Sequence, residues 1–341
     1  MSTSMLITLI VIDLITILII AAVLRGLWET RHTVIDYAEL HAPIGKSRNF
    51  VRRPVFMRRN DAVTTEKYDL RVLFFSDLHA EYCQFTSSQL ENVIRTEHER
   101  KRLDAVLFGG DIVNDPLKSS VGVKYLAHIS SVCGELYIPF LGVTGNHDVM
   151  IPAEDVEACG FKDIRRSYVT LPSRLGDGQI AICGVPDTGR ENRVWFAPSP
   201  VPHETEDGSP VIENVLLGHN PEYIQHQDEL FLNGAIVAPK TLEYDAEAVE
   251  GAKARAVDLH ESKRPEYMLA GHIHGGQIRT PIGIEFSLLR KDILPKKQKV
   301  IAGVYEGCGV SLFLSRGVGN ILLPLRIGAR PEVTVVEIYA R

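Results

Sequence analysis

The chain has no paired-cysteine motif. Its five cysteines, Cys83, Cys133, Cys159, Cys183 and Cys308, are odd in number, and none stands in a CxxC pair. A disulfide framework and a thiolate zinc site are therefore not expected, and free buried thiols in a reducing compartment are. An excess of basic charge is also missing. The 37 Lys and Arg against 43 Asp and Glu give a net charge of -6, which offers nucleic acid no electrostatic footprint. There is no internal repeat, so an array architecture is not expected. What is present, 341 residues of which 45% are hydrophobic, suffices for one large domain with a real core and a small appendage.

One apolar run is long: residues 5–24, MLITLIVIDLITILIIAAVL. Twenty helical residues reach about 30 Å, the thickness of a bilayer's hydrocarbon core. Asp13 near its middle costs about 3 kcal/mol on insertion scales, and 14 Leu, Ile and Val residues at about -0.5 kcal/mol each outweigh it. Only Met-Ser-Thr-Ser precedes the run, without positive charge, and no small-x-small cleavage site follows. The run thus reads as an uncleaved transmembrane anchor rather than a signal peptide. Arg25, Arg31, Lys46, Arg48, Arg52, Arg53, Arg58 and Arg59 all follow it. The positive-inside rule then places the remainder of the chain in the cytoplasm, with those arginines near anionic headgroups.

Residues 25–69 read as a linker. From residue 70 onward come short apolar runs that end in polar, Gly-rich turns: 71–75, 105–108, 140–143, 180–183, 214–217, 267–270, 300–305, 311–314 and 333–339. Most read as strands buried on both faces. Helical patterns lie between the early ones, at 88–102, opening on the capping-box pattern Ser88-x-x-Glu91, and at 121–132. Strands alternating with helices, then mostly strands, predict a layered α/β domain with two sheets. Residues 241–260, rich in Ala, Glu and Lys, predict a surface helix weakened by Gly251. A lid over an active site is the sharper alternative for that segment.

The strand ends carry the chemistry. Residues 71–75 run into Ser76-Asp77-Leu78-His79, and 105–108 into Gly109-Gly110-Asp111. Residues 140–143 run toward Gly145-Asn146-His147-Asp148, 214–217 into Gly218-His219, and 267–270 into Gly271-His272-Ile273-His274. Five of the 12 histidines fall in these blocks. Residues two apart in an extended chain face one side, so His272 and His274, like Asp77 and His79, can address one spot. Carboxyl ends of strands are where open α/β sheets build their sites. Oxygen and imidazole donors without thiolate suit Mn, Fe or Zn.

In their order these blocks resemble the calcineurin-like metallophosphoesterase superfamily, over residues 70–341. The resemblance implies a four-layer sandwich, two mixed β-sheets flanked by helices, behind the N-terminal transmembrane helix. It implies two divalent ions, Mn foremost, with Fe, Zn or Mg as the other candidates. One would take Asp77, His79, Asp111 and His274; the other would take Asp111, Asn146, His219 and His272, with Asp111 bridging. His147 would face the phosphoryl group as a catalytic residue beside Asp111, and Asp148 would orient His147 or its loop.

The chain departs from the phosphoprotein phosphatases at Asn114-Asp115-Pro116 and at Asp148. The stretches "GHIHGGQIRTPIG" and "SRGVGNILLPLRIGARPEVTVVEI" are instead similar to a membrane-anchored bacterial branch. Some of its members hydrolyse the pyrophosphate of UDP-2,3-diacylglucosamine to lipid X and UMP in lipid A synthesis. The soluble enzyme for that step carries Arg where this chain has His147. The resemblance thus implies a lipid-linked nucleotide substrate, no nucleic-acid partner, and an inner-membrane location with the catalytic domain on the cytoplasmic side. Arg316 and Arg326 are candidate substrate contacts. The basic run Arg290, Lys291, Lys296, Lys297 and Lys299 would meet a diphosphate, the bilayer or only solvent, and residues 321–325 would dip into the membrane or pack in the core. The alternatives are a phosphodiesterase or phosphatase acting on other small phosphoesters, and a metal-free scaffold on the same fold.

Overall fold

The apolar runs pair into two mixed β-sheets in the computed structural model of the chain. It describes residues 3–47, 50–53, 68–176, 178–187, 194–238, 241, 244–279 and 300–340. In chain order the elements begin with α1 (Thr3–Arg31), β1 (Val34–His41), β2 (Val51–Arg52), β3 (Leu70–Phe75), α2 (Ser87–Arg100) and β4 (Ala105–Phe108). Next come α3 (Ser119–Glu135), β5 (Phe140–Gly142), α4 (Ala153–Ala158), β6 (Lys162–Asp163), β7 (Tyr168–Pro172), β8 (Gln179–Gly184) and β9 (Val194–Phe196). The rest are β10 (Val211–Leu217), α5 (Tyr223–Asn233), β11 (Ala235–Val237), α6 (Ala246–Ala254), α7 (Ala256–His260), β12 (Tyr267–Ala270), β13 (Gly303–Gly307), β14 (Val310–Leu314) and β15 (Glu332–Tyr339).

The first sheet runs β1-β15-β3-β4-β5-β6 and the second β2-β13-β14-β12-β10-β8-β7, with a small β11-β9 pair beside them. Leu70, Val72 and Phe74 of β3 meet Val215 and Leu217 of β10 and Leu269 of β12 between the sheets. The alternate residues Leu73 and Phe75 face Leu90 and Ile94 of α2 and Leu126 and Ile129 of α3. Outside the second sheet, Leu216 and Met268 pack on Tyr223, Ile224 and Leu230 of α5. The layers are therefore helix, sheet, sheet, helix. Side chains alternate along a strand, so strands covered on both faces must be apolar throughout, which is why they were legible.

Several expectations change. The N-terminal helix extends past residue 24 to Arg31. Within the expected linker 25–69, residues 34–41 pair in register with β15 and residues 51–52 with β13. The cap of α2 lies two residues earlier than expected: Thr86 accepts from the Gln89 N–H, and the Gln89 side chain returns to Thr86. Residues 241–260 contain two helices parted at Arg255, and Val249 and Ala252 pack on Val194 and Ala235. The five cysteines are free; Cys133, Cys159 and Cys183 are buried, whereas Cys83 and Cys308 are half-buried. Arg290, Lys291, Lys296, Lys297 and Lys299 lie outside the described residues.

Strand direction positions the site. β3, β4 and β5 are parallel neighbours in one sheet, and β10 and β12 are parallel neighbours in the other. Their five carboxyl ends carry the five sequence blocks. β15 runs antiparallel to β3 with Thr334 opposite Phe74, and β1 runs parallel to β15 with Val34 opposite Glu332. The chain therefore enters β1 from α1 at the same pole where β3 ends.

Candidate metal centre

The turns after β3 and β4 zip together through their backbones. Asp77 N–H donates to Gly110 O at 2.8 Å, His79 N–H to Asp111 O at 3.0 Å, and Ala80 N–H to Ile112 O at 3.0 Å. The second sheet joins them where His272 N–H donates to Asp77 Oδ1 at 2.8 Å. Close approach requires glycine: a Cβ on Gly271 would lie 2.4 Å from Asp77 Oδ2, and one on Gly145 2.2 Å from Asp111 Oδ1. The donor residues themselves are bent. Asp77, His79, Asp111, His272 and His274 have φ of 51°, 39°, 61°, 74° and 52°. Non-glycine residues rarely occupy this left-handed region, and such outliers gather at functional sites.

Two groups of donors result, and both include Asp111. Asp77, His79, Asp111 and His274 have one donor atom each within 4.8 Å of one another, and so do Asp111, His219 and His272. Asp111 Oδ2 lies 3.4 Å from His79 Nε2 and 3.1 Å from His219 Nε2. His274 Nε2 is 3.2 Å from His79 Nε2 and 3.4 Å from Asp77 Oδ1, and His272 Nδ1 is 3.2 Å from His219 Nε2. The His219 Nδ1–H donates to Gly109 O at 2.8 Å, which leaves Nε2 as a donor atom for a cation.

This buried cluster fits a cation. Asn146 Oδ1 is buried without a hydrogen-bond partner among the described residues, and an unsatisfied buried acceptor costs about 1–3 kcal/mol. Burial pushes the His79 imidazole down to about 3. Burial would also lower His219, yet the Asp111 carboxylate beside it holds it protonated up to about 10. Burial likewise opposes ionisation of Asp111, but His219 and His79 keep it well below the usual carboxylate range. The negative charge that these carboxylates gather among imidazoles is the charge a divalent ion at the same donors would balance.

His147 stands at the edge of the cluster. It is half-buried, its ring lies edge-on to His79 with centroids 5.1 Å apart, and its backbone N–H donates to Asp111 Oδ1 at 3.0 Å. Asp148 orients the loops rather than His147: its carboxylate accepts from the N–H groups of Asp111, Ile112 and Gly145 at 2.9, 2.7 and 2.8 Å. Burial, then the Asp111 charge, push Asp148 up to about 7.

The two arginines expected to contact substrate make bonds within the protein. Arg316 Nη2 pairs with Asp36 at 2.5 Å and Glu332 at 2.6 Å, tying β1 to β15. Arg326 is fully buried and donates to Arg316 O at 2.7 Å, Ala329 O at 3.0 Å and Gly319 O, with Nη2 3.3 Å from His274 Nδ1. Arg326 is thus held inside the protein, while Arg316 stays partly exposed. Sequence reading also missed Gln277, whose side chain bonds Ile321 and Leu323; its place directly after the histidine block was the available signal. A cavity of about 680 Å³ is bordered by Arg165, Arg166, Arg255 and Phe196 together with Asp245 and Glu247. Arg165 also donates to Thr144 at 2.9 Å, just before Gly145.

The family described as calcineurin-like phosphoesterase matches residues 70–276. The chain is 29% identical to the uncharacterized metallophosphoesterase YkuE of Bacillus subtilis (strain 168), over 78% of this chain and 77% of that protein. It is 24% identical to the phosphodiesterase YaeI of Escherichia coli (strain K12), over 79% and 82%. An uncharacterized metallophosphoesterase of Helicobacter pylori (strain J99 / ATCC 700824) is 25% identical, and the chain spans only 60% of its length.

The packing at Gly271 makes a prediction. Gly271→Ala forces a methyl group onto Asp77 and Ser76, and should weaken metal binding by about 10–100-fold, the scale of comparable losses around metal ligands. Metal titration checks this, with circular dichroism showing retained helix and sheet; unchanged affinity would refute the cradle.

Proposed function

Because the chain belongs to the calcineurin-like phosphoesterase family and is a hydrolase of phosphoester bonds, we propose a two-metal, membrane-anchored enzyme that cleaves the pyrophosphate of UDP-2,3-diacylglucosamine. The observation that carries the two-metal reading is Asp111 Oδ2, which lies between His79 and His219 and is common to both donor groups. Asp77, His79, Asp111 and His274 would hold one ion, and Asp111, Asn146, His219 and His272 the other. Such a pair, Mn foremost, supplies Lewis acidity that activates water and offsets charge on phosphoryl oxygens.

The side chains do the remainder. Gly109 O and the Asp77 contact to His272 N–H hold the donors in place. His147 Nδ1–H faces Asn114 O at 3.4 Å, which leaves Nε2 as the ring nitrogen for a substrate. In its protonated form that nitrogen donates to a phosphoryl or leaving oxygen. Asp148 fixes the two turns that set the His147–Asp111 distance.

The anchor reading rests on α1, the one helix among the described residues long and apolar enough to cross a membrane. With the basic residues after it, it supports an inner-membrane location and a cytoplasmic catalytic domain. A lipid-linked nucleotide would be met on that surface. A second reading, a phosphodiesterase on other small esters, is favoured by the similarity to the phosphodiesterase YaeI.

The full chain in detergent with Mn should release UMP from UDP-2,3-diacylglucosamine. Turnover of bis(p-nitrophenyl) phosphate without UMP release would favour the second reading. Asp111→Ala should abolish activity and lower metal content below two ions per chain while the protein still folds. His147→Ala should retain both ions yet lose about 10²–10⁴-fold in turnover; loss of metal in that variant would show that His147 is a ligand instead.

A further inference from the structure

The base of α1 is packed against the loop that backs the metal centre. Leu325 and Ile327 lie on Gly26, where a Cβ would come within 2.6 Å of Leu325. Thr30 Oγ1 accepts from the Arg326 backbone N–H at 2.8 Å, and Glu29 Oε2 accepts from the Gly328 N–H at 2.5 Å. Arg330 donates to His32 O at 2.8 Å and lies over the Trp28 ring. On its other side the same loop reaches the donors. Arg326 Nη2 is 3.3 Å from His274 Nδ1, and Gln277 donates to Ile321 O at 2.9 Å and Leu323 O at 3.1 Å.

The tip of this loop is apolar and turned outward. Leu322 is 81% exposed and Leu323 56%. Leu322 also has a φ of 61°, a left-handed conformation that disfavours a leucine. A strained backbone that thrusts leucine into water gains nothing there; in lipid the same arrangement buries both side chains. Leu325 of the same loop lies on Gly26 of α1, beside the exposed Leu24 and Leu27. Arg25, Trp28 and Arg31 are exposed at the same end of the helix, and these residue types settle at membrane–water boundaries. Strand register puts this end of α1 and the metal centre at one pole.

We propose that residues 321–325 form a membrane-inserting loop, and that its occupant is the lipid bilayer. Together with the last turns of α1 it seats the metal centre against the headgroups, so the site takes phosphoesters of amphiphiles that remain in the membrane. This rests on the reading of α1 as a membrane anchor.

The test places p-benzoylphenylalanine, one position at a time, at Leu322, Leu323, Ile17 and Tyr137 of the full chain in phospholipid nanodiscs. After irradiation the products are weighed by mass spectrometry. Ile17 reports the anchor. Tyr137, 93% exposed just before β5 at the opposite pole, is the control. Adducts of lipid mass are expected at 322, 323 and 17 and not at 137. Adducts at 17 with none at 322 and 323 would overturn the loop's insertion and leave the anchor standing. Absence at 17 as well would remove the anchor, and the proposal with it. Cross-links from 322 or 323 to a second copy of the chain would assign the patch to self-association and overturn lipid as its occupant.

Discussion

A single buried carboxylate, Asp111, lies between histidines delivered by two different sheets, and the surrounding structure is arranged around that placement. One of its oxygens is shared by His79 and His219, while the other is fixed by the His147 N–H. Neither sheet alone supplies both histidines: His79 follows β3 and His219 follows β10. The sandwich core between the sheets therefore sets the distance between the donors, to the precision with which Phe74, Val215 and Leu269 pack. Five donor residues in left-handed backbone, at about 1–3 kcal/mol each, would be comparable to a domain's whole net stability. They persist because the turns are over-determined by hydrogen bonds among Asp77, Gly110, Asp111 and Asp148. Cation binding acts in the same direction, since an ion that binds only the folded site stabilises it.

What the sequence disclosed follows from the same physics. Strands buried on both faces leave unbroken apolar runs, so β3, β4, β10 and β12 were readable to within a few residues. Donor blocks at their ends were readable because metal chemistry restricts residue type. β1 was not readable. Its residues VIDYAELH are mostly half-buried at a sheet edge, and its partner β15 lies some 300 positions away in sequence. A strand defined by a distant partner has little local pattern. The internal partners of the arginines were hidden for a related reason. Nothing near Arg316 in sequence indicates Asp36, and nothing near Arg326 indicates Thr30 or His274. The capping box was displaced because two overlapping patterns, Thr86-x-x-Gln89 and Ser88-x-x-Glu91, compete, and only the fold selects between them.

The strand at 34–41 alters how the anchor relates to the chemistry. A linker of some 45 residues would let a catalytic domain roam many tens of ångströms from a bilayer. Instead two residues, His32 and Thr33, separate α1 from a strand held along eight positions of register. Glu29 and Thr30 are further tied to the loop carrying Arg326. The domain therefore cannot swing freely about the end of α1. On the anchored reading, the height and tilt of the metal centre above the membrane are properties of the fold.

That rigidity bears on the kind of ester the site can reach. An enzyme on a long tether samples the bulk and meets soluble substrates as readily as membrane-bound ones. On the anchored reading, a site held at the pole where α1 emerges samples the headgroup layer, where an amphiphile's phosphate lies. Confinement of enzyme and substrate to one layer raises their effective concentration without any new contact. It also removes the need for the protein to lift acyl chains out of lipid, a transfer that costs about 0.8 kcal/mol for each methylene exposed. Recognition can then be limited to the phosphate and the polar group beyond it.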